Sequence, residues 1–116
     1  MNYLNIQNNF LTVTKYHNNT DEIIARLNEF VLNNDCNVLC VDISILNMID
    51  AIKVGTLCAT THFTKHPTGT IELIVKDVES KMALKVLGLR TLKITIKRPI
   101  IENFYQPVSR KVVALR

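Results

Sequence analysis

Residues 38 to 57 decide the fold: Val38-Leu39-Cys40-Val41-Asp42-Ile43-Ser44-Ile45-Leu46-Asn47-Met48-Ile49-Asp50-Ala51-Ile52-Lys53-Val54-Gly55-Thr56-Leu57. Val38 to Ile43 is a near-continuous apolar run, the pattern of a central strand of a parallel sheet covered on both faces. A short loop follows. From Asp50 to about Lys65, Val54, Leu57, Cys58 and Thr61 recur at helical spacing and predict the inner face of a helix. Asp50 is the expected N-cap, where a side-chain oxygen satisfies an unpaired amide for about 1 kcal/mol. An acid at a strand-to-helix junction also often marks a site, because helix N-termini attract anions and partners. Here Ala51 and Ile52 follow the acid, and neither carries a hydroxyl, thiol or amine.

Outward from this unit the pattern continues. Pro67 and Gly69 stop the helix, and Ile71 to Lys76 reads as the next strand. Asp77 caps a short helix expected to turn Met82, Ala83, Val86 and Leu87 inward, with Gly88 as its stop. Leu92, Ile94 and Ile96 alternate with Lys93, Thr95 and Lys97, as in a sheet-edge strand. Upstream, Phe10 to Tyr16 alternates as a strand. Asn19 or Thr20, with Glu22, forms a capping signal for a helix over 20–33, whose inner face is Ile23, Ile24, Leu27, Phe30 and Val31. Residues 1–9 and 99–116 carry no decisive pattern. The order β-α-β-α-β-α-β predicts a single α/β domain: a mostly parallel central sheet of about four to five strands with helices packed against it. Its core spans about 10–98, and a basic tail spans 99–116.

At 116 residues, 47% hydrophobic and 21% charged, the chain suits one globular domain. No apolar stretch reaches the roughly 20 residues of a membrane span, so no membrane association is expected. The start, Met1-Asn2-Tyr3-Leu4-Asn5-Ile6, lacks the basic-then-apolar order of a signal peptide. Three cysteines, Cys36, Cys40 and Cys58, sit mostly in apolar patterns and suggest reduced thiols and a cytoplasmic setting. The net charge of +4 is lopsided: residues 1–89 carry seven Lys/Arg against nine Asp/Glu, and residues 90–116 carry seven against Glu102 alone.

The strand Val38 to Ile43, the Ile49-Asp50 junction and the helix with Gly55 and Leu57 together resemble the core of a STAS domain. Such domains occur in bacterial anti-sigma factor antagonists and in sulfate-transporter tails. The family's Asp-Ser-Ser-Gly-Leu-Gly run is matched by Asp50-Ala51-Ile52-Lys53-Val54-Gly55. Downstream, Leu87-Gly88-Leu89-Arg90-Thr91-Leu92 is similar to its Leu-x-x-Gly-Leu-x-x-Leu signature. The resemblance covers about residues 10–96. It implies a non-catalytic protein-binding module that docks on a kinase-like regulatory ATPase of the anti-sigma type, or on another copy of itself. It also implies a docking surface formed by the turn and first part of the second helix: Asn47, Met48, Asp50, Ala51, Ile52, Lys53 and Thr56. In the family, a phosphate on the turn serine places a charge of about −1.5 to −2 in the interface and switches docking off. Ala51 holds that position here and cannot accept phosphate, so a serine switch is not expected.

Other constellations are weaker. Cys58, His62 and His66 fall on one helical stripe with zinc-type ligands, but no fourth ligand is evident, and neither metal nor cofactor is expected. Asp42 and Lys97 invite comparison with a phospho-accepting receiver domain. However, only one strand-helix unit precedes Asp42, no acidic pair ends the first strand, and no Ser or Thr follows Ile74-Val75. No glycine-rich phosphate loop, nucleophile elbow or paired catalytic carboxylate is present, so no enzyme is expected. The alternative reading is a nucleic-acid or acidic-partner binder acting through the basic C-terminal segment. It is disfavoured for nucleic acid because aromatic and basic residues do not interleave there.

Overall fold

The computed structural model describes residues 4–14 and 19–98. In chain order the elements are β1 (Leu4–Gln7), β2 (Phe10–Val13), α1 (Thr20–Asn33), β3 (Val38–Asp42), α2 (Met48–Lys65), β4 (Thr70–Val75), α3 (Val78–Lys85) and β5 (Leu92–Ile96). They form an α/β unit with one five-stranded sheet of order β1-β2-β3-β4-β5. β1 pairs antiparallel with β2, and the remaining pairs are parallel.

Local signals explain these elements. Asn19 closes a capping box on α1, its Oδ1 accepting from the Glu22 amide (3.4 Å) and its Nδ2 donating to Glu22 Oε1 (2.9 Å). Asp77 Oδ1 accepts from the Ser80 amide (2.9 Å) and starts α3. After α3 the chain passes through Gly88 at φ +64°, the left-handed conformation that ends many helices. The hairpin joining β1 to β2 turns through Asn8-Asn9, with Asn8 at φ 57°, a conformation asparagine tolerates better than most residues.

The order runs sequentially from β2 to β5, and since parallel crossovers are right-handed as a rule, α1, α2 and α3 fall on one face, in keeping with the packing of α1 on α2 and α2 on α3. α1 packs on α2, α2 on α3, and α3 on β5. Leu11, Val13, Leu39, Val41, Ile71, Leu73 and Val75 point from the sheet into this layer. They meet Ile23, Leu27 and Val31 of α1, Ala51, Val54 and Cys58 of α2, and Leu84 of α3. Each fully buried aliphatic side chain stabilises the fold by about 1.5–3 kcal/mol.

Three sequence expectations are corrected. Among the described residues β3 is covered by helices on one face only: Val38 is exposed and Cys40 half-buried on the other. The inner face of α2 is Ala51, Val54, Gly55, Cys58, Ala59 and His62, while Leu57 is exposed. Small residues let this helix approach closely; a Cβ on Gly55 would lie 3.1 Å from the side chains of both Leu73 and Leu84. In α3 the buried residues are Ser80 and Leu84, with Met82 and Val86 exposed. The strand expected over Phe10–Tyr16 is described to Val13. Residues 15–18 and the basic segment 99–116 lie outside the described residues.

Candidate functional site

The C-terminal end of β3 and the start of α2 form a braced turn. Ile43 donates its amide to the Ile74 carbonyl (2.9 Å), and the Leu46 amide returns to the Ile43 carbonyl (3.0 Å). Ile43 and Leu46 are fully buried and pin both ends of the turn. Asp42 holds it from below: Oδ1 accepts from the Ser44 amide (2.9 Å) and hydroxyl (2.6 Å), and Oδ2 accepts from Lys97 Nζ (3.1 Å). Burial alone would push the Asp42 carboxyl up, but the Ser44 hydrogen bonds and the Lys97 ammonium together hold it below the usual carboxylate range. Lys97 therefore ties the end of β5 to this loop across β4. The Asp42–Lys97 pair of the receiver comparison does meet, and both carboxylate oxygens already have donors.

The N-cap is Asn47, not Asp50. Its Oδ1 accepts from the Asp50 amide (2.9 Å), and its carbonyl accepts from the Ala51 amide (2.8 Å). The helix thus starts two residues before the expected cap. Asp50 lies in the first turn, where a negative charge complements the helix dipole.

This start decides what the surface offers. Met48 is 40% exposed, and Ile49, absent from the expected set, is 72% exposed. Ile45 in the preceding loop is 44% exposed. Asp50, Ile52 and Thr56 are half-buried, and the Thr56 carbonyl accepts from the Thr60 hydroxyl (2.7 Å). Lys53 is exposed and pairs with Asp21 of α1 at 3.2 Å. Such open ion pairs contribute no more than about 1 kcal/mol. Ala51 is fully buried and belongs to the core, so the expectation that it forms part of a contact surface is corrected. Of the expected residues, the structure gathers Asn47, Met48, Asp50, Ile52, Lys53 and Thr56 around the first turns of α2. Ile45 and Ile49 join them. The signal that could have found Ile49 is Asn47 itself, a good cap three residues before an acid.

At the other end of α2, His62 is fully buried and its Nε2 lies 2.8 Å from the Cys36 carbonyl. That contact makes Nε2 the protonated nitrogen. Burial pushes the His62 pKa below the usual 6.5, and His66, ring centroids 5.1 Å away, pushes it the same way. Cys36 Sγ lies 3.9 Å from His66 Nε2. Burial raises the Cys36 thiol and pushes Cys58 up to about 12, so both stay protonated. Among the described residues no three His, Cys, Asp or Glu side chains are placed to hold a metal ion.

No protein-family model, curated protein or solved structure matches the chain.

Proposed function

We propose that the chain is a non-catalytic protein-docking module whose contact surface is the β3–α2 turn and the first turns of α2. One observation carries this reading: Ile49, Met48 and Ile45 stand exposed together on a turn that is capped, braced and pinned to the core. Holding apolar side chains in water on a rigid mount has an energetic cost, which a partner that buries them would repay. Asn47, Asp50, Ile52, Lys53 and Thr56 would supply the polar and half-buried rim. By the resemblance to STAS domains, the partner is a regulatory ATPase of the anti-sigma type or a second copy of the chain. With Ala51 buried where the family carries its serine, docking is constitutive with respect to that position.

The test is a titration of the full chain against purified anti-sigma-type ATPases, together with sedimentation of the chain alone. Association that falls at least tenfold in Ile49→Asp, with folding unchanged, supports the reading. Equal binding by Ile49→Asp, or no association in either measurement, removes it. Binding through the basic residues of 99–116 would instead weaken steeply with salt and ignore Ile49→Asp.

A further inference from the structure

The helix-free face of the sheet carries a site of different chemistry on its β1–β2 hairpin. The hairpin register sets Gln7 opposite Phe10 and Asn5 opposite Thr12. Directly opposed residues of an antiparallel pair share a face. Leu11 and Val13 point into the helical layer, so Phe10, Thr12, Asn5 and Gln7 lie on the other side. With Asn8 of the turn they line a shallow cavity of about 390 Å³. That size falls within the range of about 300–1,000 Å³ common to small-molecule sites.

The lining is three primary amides, one hydroxyl and one phenyl ring, with no charged side chain among them. Phe10 is 45% exposed, and Asn5, Gln7 and Asn8 are exposed around it. No hydrogen bond among the described residues occupies the four polar side chains. From Met1 to Thr14 the sequence holds no charged side chain at all. A primary amide offers a carbonyl acceptor and two N–H donors on one group. A sugar hydroxyl both donates and accepts, so an amide can serve it in either sense. The C–H face of a pyranose is apolar and stacks on an aromatic ring, while its hydroxyls project from the rim. A phenyl ring set among amides matches both parts.

We infer that this cavity binds a neutral saccharide. One pyranose unit stacks its C–H face on Phe10, and Asn5, Gln7 and Asn8 hydrogen-bond its hydroxyls, with Thr12 as a further polar contact. Charge decides against the competing classes of ligand. A phosphate or carboxylate meets no cation in the lining, and a nucleic acid strand finds nothing there to neutralise its phosphates. The hairpin turn precedes β2, whereas the docking turn follows β3, which runs parallel to β2. The cavity therefore lies at the other end of the strands, and the inference stands or falls apart from the docking proposal.

The probe is cellotetraose, a neutral, flat chain of pyranose rings, titrated into the full chain by NMR. The expected result is a saturable shift of amides within residues 5–12 at millimolar sugar, unchanged between low and high salt because no ion pair takes part. Saturation transfer from the protein should mark the axial C–H protons of the sugar. Phe10→Ala lowers the affinity at least tenfold, and Phe10→Tyr, which keeps the ring, retains it. Gln7→Ala, at an exposed position, lowers it at least threefold. Three outcomes would overturn the inference. They are the lack of any saturable shift with cellotetraose and with maltotetraose, equal binding by either alanine variant, and displacement of the sugar by an oligothymidine, which would give the ring to a nucleic acid base.

Discussion

The two ends of α2 are built for opposite purposes. Its C-terminal end is latched: His62 is buried on the Cys36 carbonyl, and Lys65 Nζ donates to the carbonyls of Val31, Leu32 and Asn34 at 2.8–2.9 Å, closing the end of α1. Its N-terminal end is capped but bare, with Met48 and Ile49 in water and one open ion pair to α1. One helix thus separates stability from recognition by about two dozen ångströms of rise, at 1.5 Å per residue. Substitutions at the latch should alter folding, and substitutions at the bare end should alter only binding.

The largest effect tests the latch. His62→Ala removes a buried ring and leaves the Cys36 carbonyl unpaired, and should destabilise the chain by about 3 kcal/mol in urea unfolding. A loss under about 1 kcal/mol would mean the end of α2 is held elsewhere.

Acid comes next. The folded His62 pKa lies below its unfolded value of about 6.5, so the folded state resists the proton that the unfolded state accepts. Stability should be full above pH 6.5 and decline below it, by at most about 1.4 kcal/mol per pH unit, levelling off once the folded pKa is passed. Asp42, also lowered, adds a second decline below the usual carboxylate value of 3.8. Thermal unfolding between pH 7.5 and 5 should show the first decline in the native sequence and lose it in His62→Asn.

The smallest effect belongs to the bare end. Ile49→Asp should leave unfolding within about 0.5 kcal/mol of the native chain, as exposed positions do. A loss above 1 kcal/mol would show that Ile49 supports the fold and would erase the contrast.

The sequence made much of this architecture readable, and the unreadable part has a physical cause. α1 was legible because its cap, Asn19 with Glu22, and its apolar stripe agree. Asp77 and Gly88 bracketed α3 for the same local reason. The rotation of α2 was not legible: its inner face uses Ala51, Gly55, Ala59 and His62, selected for size and close approach, while Leu57, more apolar than any of them, is left outside. Hydrophobic periodicity weighs residues by oiliness and misses such a face. Placing the cap at Asp50 instead of Asn47 hid Ile49 from the candidate surface. β1 was missed although Leu4 and Ile6 alternate with Asn5 and Gln7 before the Asn8-Asn9 turn, because four residues are too few to stand out.

The sequential strand order has one further consequence. Open α/β sheets hold small molecules where the order reverses, because two neighbouring loops there leave in opposite directions and part to form a crevice. From β2 to β5 the strand order of this sheet never reverses. The described strands therefore lack the reversal at which such crevices form, and the exposed apolar side chains after β3 stand on a convex turn and not in a cleft between diverging loops.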